Sequence, residues 1–148
     1  MTNTVTALRI PVDGRDTRLV DMPTSESGSC LESLREQLQC SLVEPVSLEY
    51  HSAEHGITHL DFWFDEEGFF VEDPICNLEA MHVMDAVLED GARLHQPYIG
   101  NCVVTSYDPE TGATVSVPDH AIKALEALVS KFSPMDAYFR VYAPMMRA

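Results

Sequence analysis

Lysine and arginine are scarce in this chain, and their absence is localised. There are 9 of them against 24 acidic residues, a formal charge of −15. Only Lys123 and Lys131 are lysines, and no Lys or Arg lies between Arg35 and Arg93. The same interval holds Glu36, Glu44, Glu49, Glu54, Asp61, Asp65, Glu66, Glu67, Glu72, Asp73, Glu79, Asp85, Glu89 and Asp90. Nucleic-acid affinity comes largely from cations that neutralise phosphates. Direct nucleic-acid binding is therefore not expected. Such a stretch either keeps a surface solvated or meets a basic partner.

Other absences narrow the function further. No apolar run reaches the roughly 18–20 residues that span a bilayer, so no membrane partner is expected. The N-terminal residues lack a basic region followed by a long apolar stretch, and the expected location is the cytoplasm. Cys30, Cys40, Cys76 and Cys102 include no C-x-x-C pair, and in a reducing compartment they read as buried thiols. His-Glu-x-x-His is missing, as is a glycine-rich phosphate loop. Ser29 and Ser106 stand outside any nucleophile-elbow context. Close carboxylates are unavoidable in so acidic a chain and carry no specificity for acid–base chemistry. No catalytic constellation emerges, so the expectation leans away from an enzyme and no cofactor is expected.

What is present builds one domain over residues 1–148, with 45% hydrophobic residues to fill its core. Thr4 to Val12 and Arg15 to Met22 read as a hairpin across Asp13-Gly14. Ser29-Cys-Leu-Glu32 has capping-box spacing, and Leu31, Leu34 and Leu38 continue a helix to Cys40. Val43 to Tyr50 reads as a strand, with Pro45 at its start or on an edge. His51 to Thr58 then connects to a strand over His59 to Phe64. Asp65-Glu-Glu-Gly68 turns, with Gly68 free to take positive φ, and Phe69 to Glu72 returns as a strand. Asn77 caps a second helix through Leu78, Met81, Met84, Val87 and Leu88, stopped at Gly91. Tyr98 to Ser106 and Ala113 to Val117 form a hairpin. Asp119 caps a third helix with Ile122, Leu125, Leu128, Val129 and Phe132 inward, and Tyr138 to Tyr142 reads as a short strand. The pattern predicts an α+β fold: a largely antiparallel sheet built from hairpins, with about three helices.

Two segments stand out as candidate sites. Asp61 to Phe70 holds five of the twelve aromatic residues. Phe62 and Phe64 share one face of a strand and Trp63 takes the other. Trp63 is either core or the anchor of an interface whose acidic rim is Asp61, Asp65, Glu66, Glu67, Glu72 and Asp73. The acids at 65–67 do not match a calcium loop. His51, His55 and His59 recur every four residues beside Glu54 and Asp61. On a helix three imidazoles would stack and suit zinc, whereas Gly56-Ile57-Thr58 argues for a loop on which the rings diverge.

Ala7-Leu-Arg-Ile-Pro-Val-Asp-Gly14 opens a further pattern. Leu31 to Leu38 continues it, then Asp65-Glu-Glu-Gly68 with Asn77 behind it. Tyr98-Ile-Gly-Asn-Cys-Val-Val-Thr105, Asp108 to Gly112 and Val117-Pro-Asp119 complete it. Together these motifs resemble the DUF3846 family of small actinobacterial, plasmid and phage proteins, whose function is unknown. The resemblance covers about residues 4–120. It departs from the family at Leu78 to Gly91, a full helix where the family has a short stretch, and it omits the tail after Lys131. It supplies no activity and no catalytic residues. It implies a setting among phages and mobile elements, where small acidic proteins can act as inhibitors. The leading expectation is a non-enzymatic protein-binding or inhibitory accessory factor that engages a basic partner. The rivals are a metal-binding protein or enzyme built on His51, His55 and His59, and a structural homodimer joined through Trp63 and its strand edge.

Overall fold

In the computed structural model, which describes residues 3–88 and 92–146, the strands form one antiparallel sheet. β1 (Thr4–Ile10) and β2 (Arg18–Pro23) make the first hairpin, β3 (Val43–Ser52) and β4 (Gly56–Asp65) the second, β5 (Cys102–Tyr107) and β6 (Thr114–Val115) the third. The strand order is β2-β1-β5-β4-β3, with β6 beside β5. The α+β reading therefore holds. Strand alternation then sorts the core into two layers. Leu8, Ile10, Leu60, Phe62, Phe64, Cys102 and Val104 enter one cluster, and Val5, Ala7 and Val103 enter the other.

The first layer is closed by α2 (Leu78–Val87) and α3 (Asp119–Ser130), the second by α1 (Leu31–Leu38). A fourth helix, α4, joins the first layer through Val141; it runs Pro134–Ala137, then a π-helical turn Tyr138–Tyr142, then Ala143–Met146. This corrects two expectations: the described residues form four helices rather than about three, and Tyr138 to Tyr142 is not a strand. Ser133 accepts a hydrogen bond from the Asp136 amide and Pro134 occupies the first turn, a strong helix start. Arg140 then bonds Asp85 on α2 at 2.7 Å.

The returning strand over Phe69 to Glu72 is also replaced, by a 3₁₀ turn at Gly68–Phe70. Both edges of β4 are already taken, by β3 and β5. Gly68 serves close approach rather than positive φ, since a Cβ there would lie 3.0 Å from Ile99 Cβ. The β3–β4 turn is tighter than the expected connection over 51–58. Gly56, at φ +76°, takes the left-handed conformation, so His51 falls in β3 and Thr58 in β4.

Other boundaries shift for local reasons. β2 starts at Arg18, because Asp13 accepts from the Arg15 amide and Asp16 sits at φ 61°. β5 starts at Cys102, because Asn77 N–H and Gly100 N–H bond the Tyr98 and Ile75 carbonyls first. Cys30, not Ser29, is the residue before α1, and among the described residues no side chain caps it; Ser29 Oγ accepts from the Leu31 amide. Pro118 precedes α3, so Asp119 is its first residue rather than its cap. Asn77 caps α2 as expected, accepting from Ala80 N. The expected stop at Gly91 lies outside the described residues. Among the described residues no helix is long and apolar enough to cross a membrane.

Candidate protein interface

Between the end of β4 and the start of α2 the chain leaves the sheet and is tied at both ends. At the start, Asp65 Oδ1 accepts from the Glu67 amide, a local turn typical of Asp. The Glu66 amide bonds the Leu42 carbonyl, and the Phe70 amide the Glu67 carbonyl. At the far end Cys76 bridges to Ile99. Between them Gly68 is buried against Ile99, and the residues around it are presented to solvent. Phe70 is 84% exposed, Phe69 54%, Val71 45% and Ile75 61%. Glu66 and Glu67 on one side and Glu72 and Asp73 on the other flank Phe69 to Val71 and are exposed too. A run of large apolar side chains ringed by one sign of charge has the anatomy of an interface: an apolar centre and a polar rim.

The remaining partner-binding candidates separate from this group. Trp63 is half-buried in the α1 layer, and its indole N–H donates to Thr105 Oγ1 at 2.8 Å. With its polar tip satisfied inside, it braces the sheet, and the more exposed of the segment's two solvent-facing aromatics is Phe70. Asp61 is buried on the same side of β4 and accepts from Ser47 Oγ at 2.6 Å. The acid-rich interval is thus not one patch. Glu79 is buried as well, accepting from Thr17 Oγ1, and Asp85 is paired with Arg140. Glu89 and Asp90 lie outside the described residues.

Burial pushes the Asp61 carboxyl above the usual carboxylate range, with the Ser47 hydrogen bond opposing it. The folded protein therefore holds that proton more tightly than the unfolded chain does. The associated stability is complete below the unfolded carboxyl's pKa and is lost as pH rises through the folded one. Asp61→Asn carries no such proton. Its stability relative to the parent is expected to improve as pH rises through and above the ordinary carboxylate range. Paired urea midpoints across that range check this, and a difference that stays flat or narrows overturns the burial account.

The three sequence-spaced histidines do not converge. His51 and His59 lie on the face of the β3–β4 hairpin that also carries Asp61 and Trp63, and there His51 Nε2 is 3.4 Å from Glu49. His59 stacks obliquely on Tyr107, 5.1 Å away, and its Nδ1 is buried without a hydrogen-bond partner among the described residues. His55 sits in the turn and stacks on His120 of α3 at 4.0 Å. That pairing was missed in the sequence because His55 and His120 meet only through the fold. They line a cleft of about 590 Å³ with Tyr50, Glu54, Asp119 and Lys123. Among the described residues no group of three His, Cys, Asp or Glu is placed to hold a metal ion. His82 was also missed: its Nε2 meets the Leu128 carbonyl and its Nδ1 meets Arg140, locking α2, α3 and α4 together.

The four cysteines are free thiols. Cys102 is fully buried, which holds its thiol well above the ordinary value, and burial with the nearby Asp65 charge pushes Cys40 up to about 11. Neither is poised as a nucleophile, because the thiolate is the reactive form.

One family model, described as Domain of unknown function (DUF3846), matches residues 5–130. The match runs through α3, beyond the residues that carry the resemblance by motif, and stops before α4. No curated protein and no solved structure matches the chain.

Proposed function

We propose, from the premise that this chain belongs to the DUF3846 family, whose function is unknown, that it is a non-enzymatic binding protein of the cytoplasm. In this reading it is an accessory or inhibitory factor of a phage or mobile element, and it engages a basic partner protein. The observation that carries the reading is Phe70, 84% exposed in a segment rimmed by Glu66, Glu67, Glu72 and Asp73. A phenylalanine buries about 150–250 Å² when covered. The acids do a different job: they steer a cationic surface toward the patch and reject anionic ones. The anchor in this reading is Phe70 and not Trp63, whose indole faces inward.

Affinity capture of a basic protein from a host lysate, with purified variants beside the parent, tests this. Phe70→Ala is expected to weaken the captured complex about 30-fold, the equivalent of a hot-spot residue at about 2 kcal/mol. Its own stability is expected to move by no more than about 0.5 kcal/mol, as for surface positions in general. A variant combining Glu66→Lys and Glu67→Lys is expected to lose the partner at low salt. The parent complex is expected to weaken as salt rises, because screening shortens to a few Å near molar ionic strength. A partner held equally by all three proteins overturns the reading.

A further inference from the structure

β3 is a long sheet edge with little to blunt it. It spans the ten residues Val43–Ser52 and, among the described strands, pairs only with β4. Its register with β4 runs unbroken from Val43↔Asp65 to Ser52↔Gly56, so no bulge twists the edge away. Edges exposed in this way template the addition of another strand unless lysines, prolines or bulges protect them. β3 has no lysine and one proline, and that proline reveals which main-chain groups are free. Pro45 has no N–H to give its partner Trp63, so theirs is a non-hydrogen-bonded pair. Pairs alternate along an antiparallel ladder, so the main-chain groups of Val43, Pro45, Ser47 and Glu49 point away from β4. Among the described residues none of them bonds the backbone of another segment.

The side chains around this edge define what fits it. Val46, Leu48 and Tyr50 line one face and pack against the larger core cluster. Ser47 and Glu49 stand on the other face, exposed, and no cation is present on the strand. The start of the strand adjoins the acidic segment directly, through the bond from the Glu66 amide to the Leu42 carbonyl.

We propose that β3 accepts an extended segment of the basic partner as an added strand, a mode that combines main-chain hydrogen bonds with alternating side-chain contacts. This rests on the protein-binding reading and supplies its geometry. The incoming segment bonds the amides of Ser47 and Glu49 and the carbonyls of Pro45, Ser47 and Glu49. It carries lysine or arginine on the face of Glu49 and apolar residues on the face of Val46, Leu48 and Tyr50. A second copy of this chain fits worse, because β3 would bring Glu44 and Glu49 to the junction, and no cation, in a chain of charge −15.

The probe is a blocked peptide of alternating lysine and valine, with a twin N-methylated at every lysine, the residues whose amides face β3. The readout is amide hydrogen exchange by NMR. The first peptide is expected to slow exchange at Ser47 and Glu49 roughly tenfold, while Val46 and Leu48, already in the ladder, change little. The methylated twin is expected to give no protection. Glu49→Pro removes an outward N–H that the fold does not use and is expected to abolish protection at Ser47, whereas Glu49→Gln weakens binding and keeps the pattern. The twin peptide tests the parent protein, so a Glu49→Pro variant that fails to fold leaves the proposal exposed to refutation. Protection that survives N-methylation, or its absence at millimolar peptide, overturns strand addition. The protein-binding reading is judged separately, by capture with Phe70→Ala.

Discussion

Truncating Phe62 to alanine is expected to destabilise the protein by about 3–5 kcal/mol, the usual cost of removing a buried phenylalanine. Phe62 has no solvent exposure. It sits on β4, which has a strand on each side, and its register partners are Val46 on β3 and Val104 on β5. On the helical side it belongs to the same cluster as Met81 and Met84 of α2 and Leu125 of α3. The cavity would open where sheet and helices meet, and neither layer can move in alone to close it. Typical domains are stable by about 5–15 kcal/mol, so the loss would consume much of the reserve. Urea titration of the parent and the variant measures it. Phe70→Ala, eight residues along, is the internal comparison, because it removes the same ring from solvent rather than from packing. A Phe62→Ala loss below about 1 kcal/mol would mean that α2 and α3 do not pack on β4 as described.

The contrast between these two phenylalanines also shows what could be read from the sequence. Phe62, Trp63 and Phe64 alternate, and a strand's period of two assigns them to opposite faces without any tertiary knowledge. α2 is equally local: Asn77 and the spacing of Leu78, Met81 and Met84 suffice to place it. Phe69 and Phe70 look just as strand-like, yet they form a turn. What decides their fate is the occupancy of both edges of β4 and the approach of Gly68 to Ile99, and neither is written near residue 69.

The same distinction explains the candidate site. The acidic rim over residues 65–73 could be found from composition alone. The aromatic proposed as its anchor could not, because Trp63 and Phe70 are separated by what lies behind them: Thr105, 42 residues away, takes the Trp63 indole. The histidine spacing misled for a related reason. A period of four carries meaning only on a helix, and a hairpin turn with Gly56 at its close sends His55 toward His120, away from His51 and His59. Tyr138 to Tyr142 reads as a strand when taken alone. Its helical start lies at Ser133 and Pro134, and its anchor lies on another helix, at Asp85.

Asn77→Ala is expected to cost about 3 kcal/mol, since it removes a helix cap worth about 1 kcal/mol and two hydrogen bonds worth about 1 kcal/mol each. The residue is fully buried and uses its whole amide. Oδ1 accepts from the Ala80 amide at 2.9 Å, while Nδ2 donates to the Ile10 carbonyl at 2.8 Å and the Gly100 carbonyl at 2.9 Å. One side chain thus fastens the start of α2 to the end of β1 and to the approach to β5. Asn77→Asp separates the two jobs. As a helix cap, aspartate equals asparagine, so a residue that only capped would tolerate the change. Here a carboxylate has no proton to offer and would face two carbonyl oxygens at a buried position, so Asn77→Asp is expected to be at least as damaging as Asn77→Ala. Thermal and urea unfolding of both variants decide the matter, with the alanine midpoint falling by roughly 6–12 °C. An aspartate variant as stable as the parent would reduce Asn77 to a local cap and leave the junction of β1, α2 and β5 without its pin.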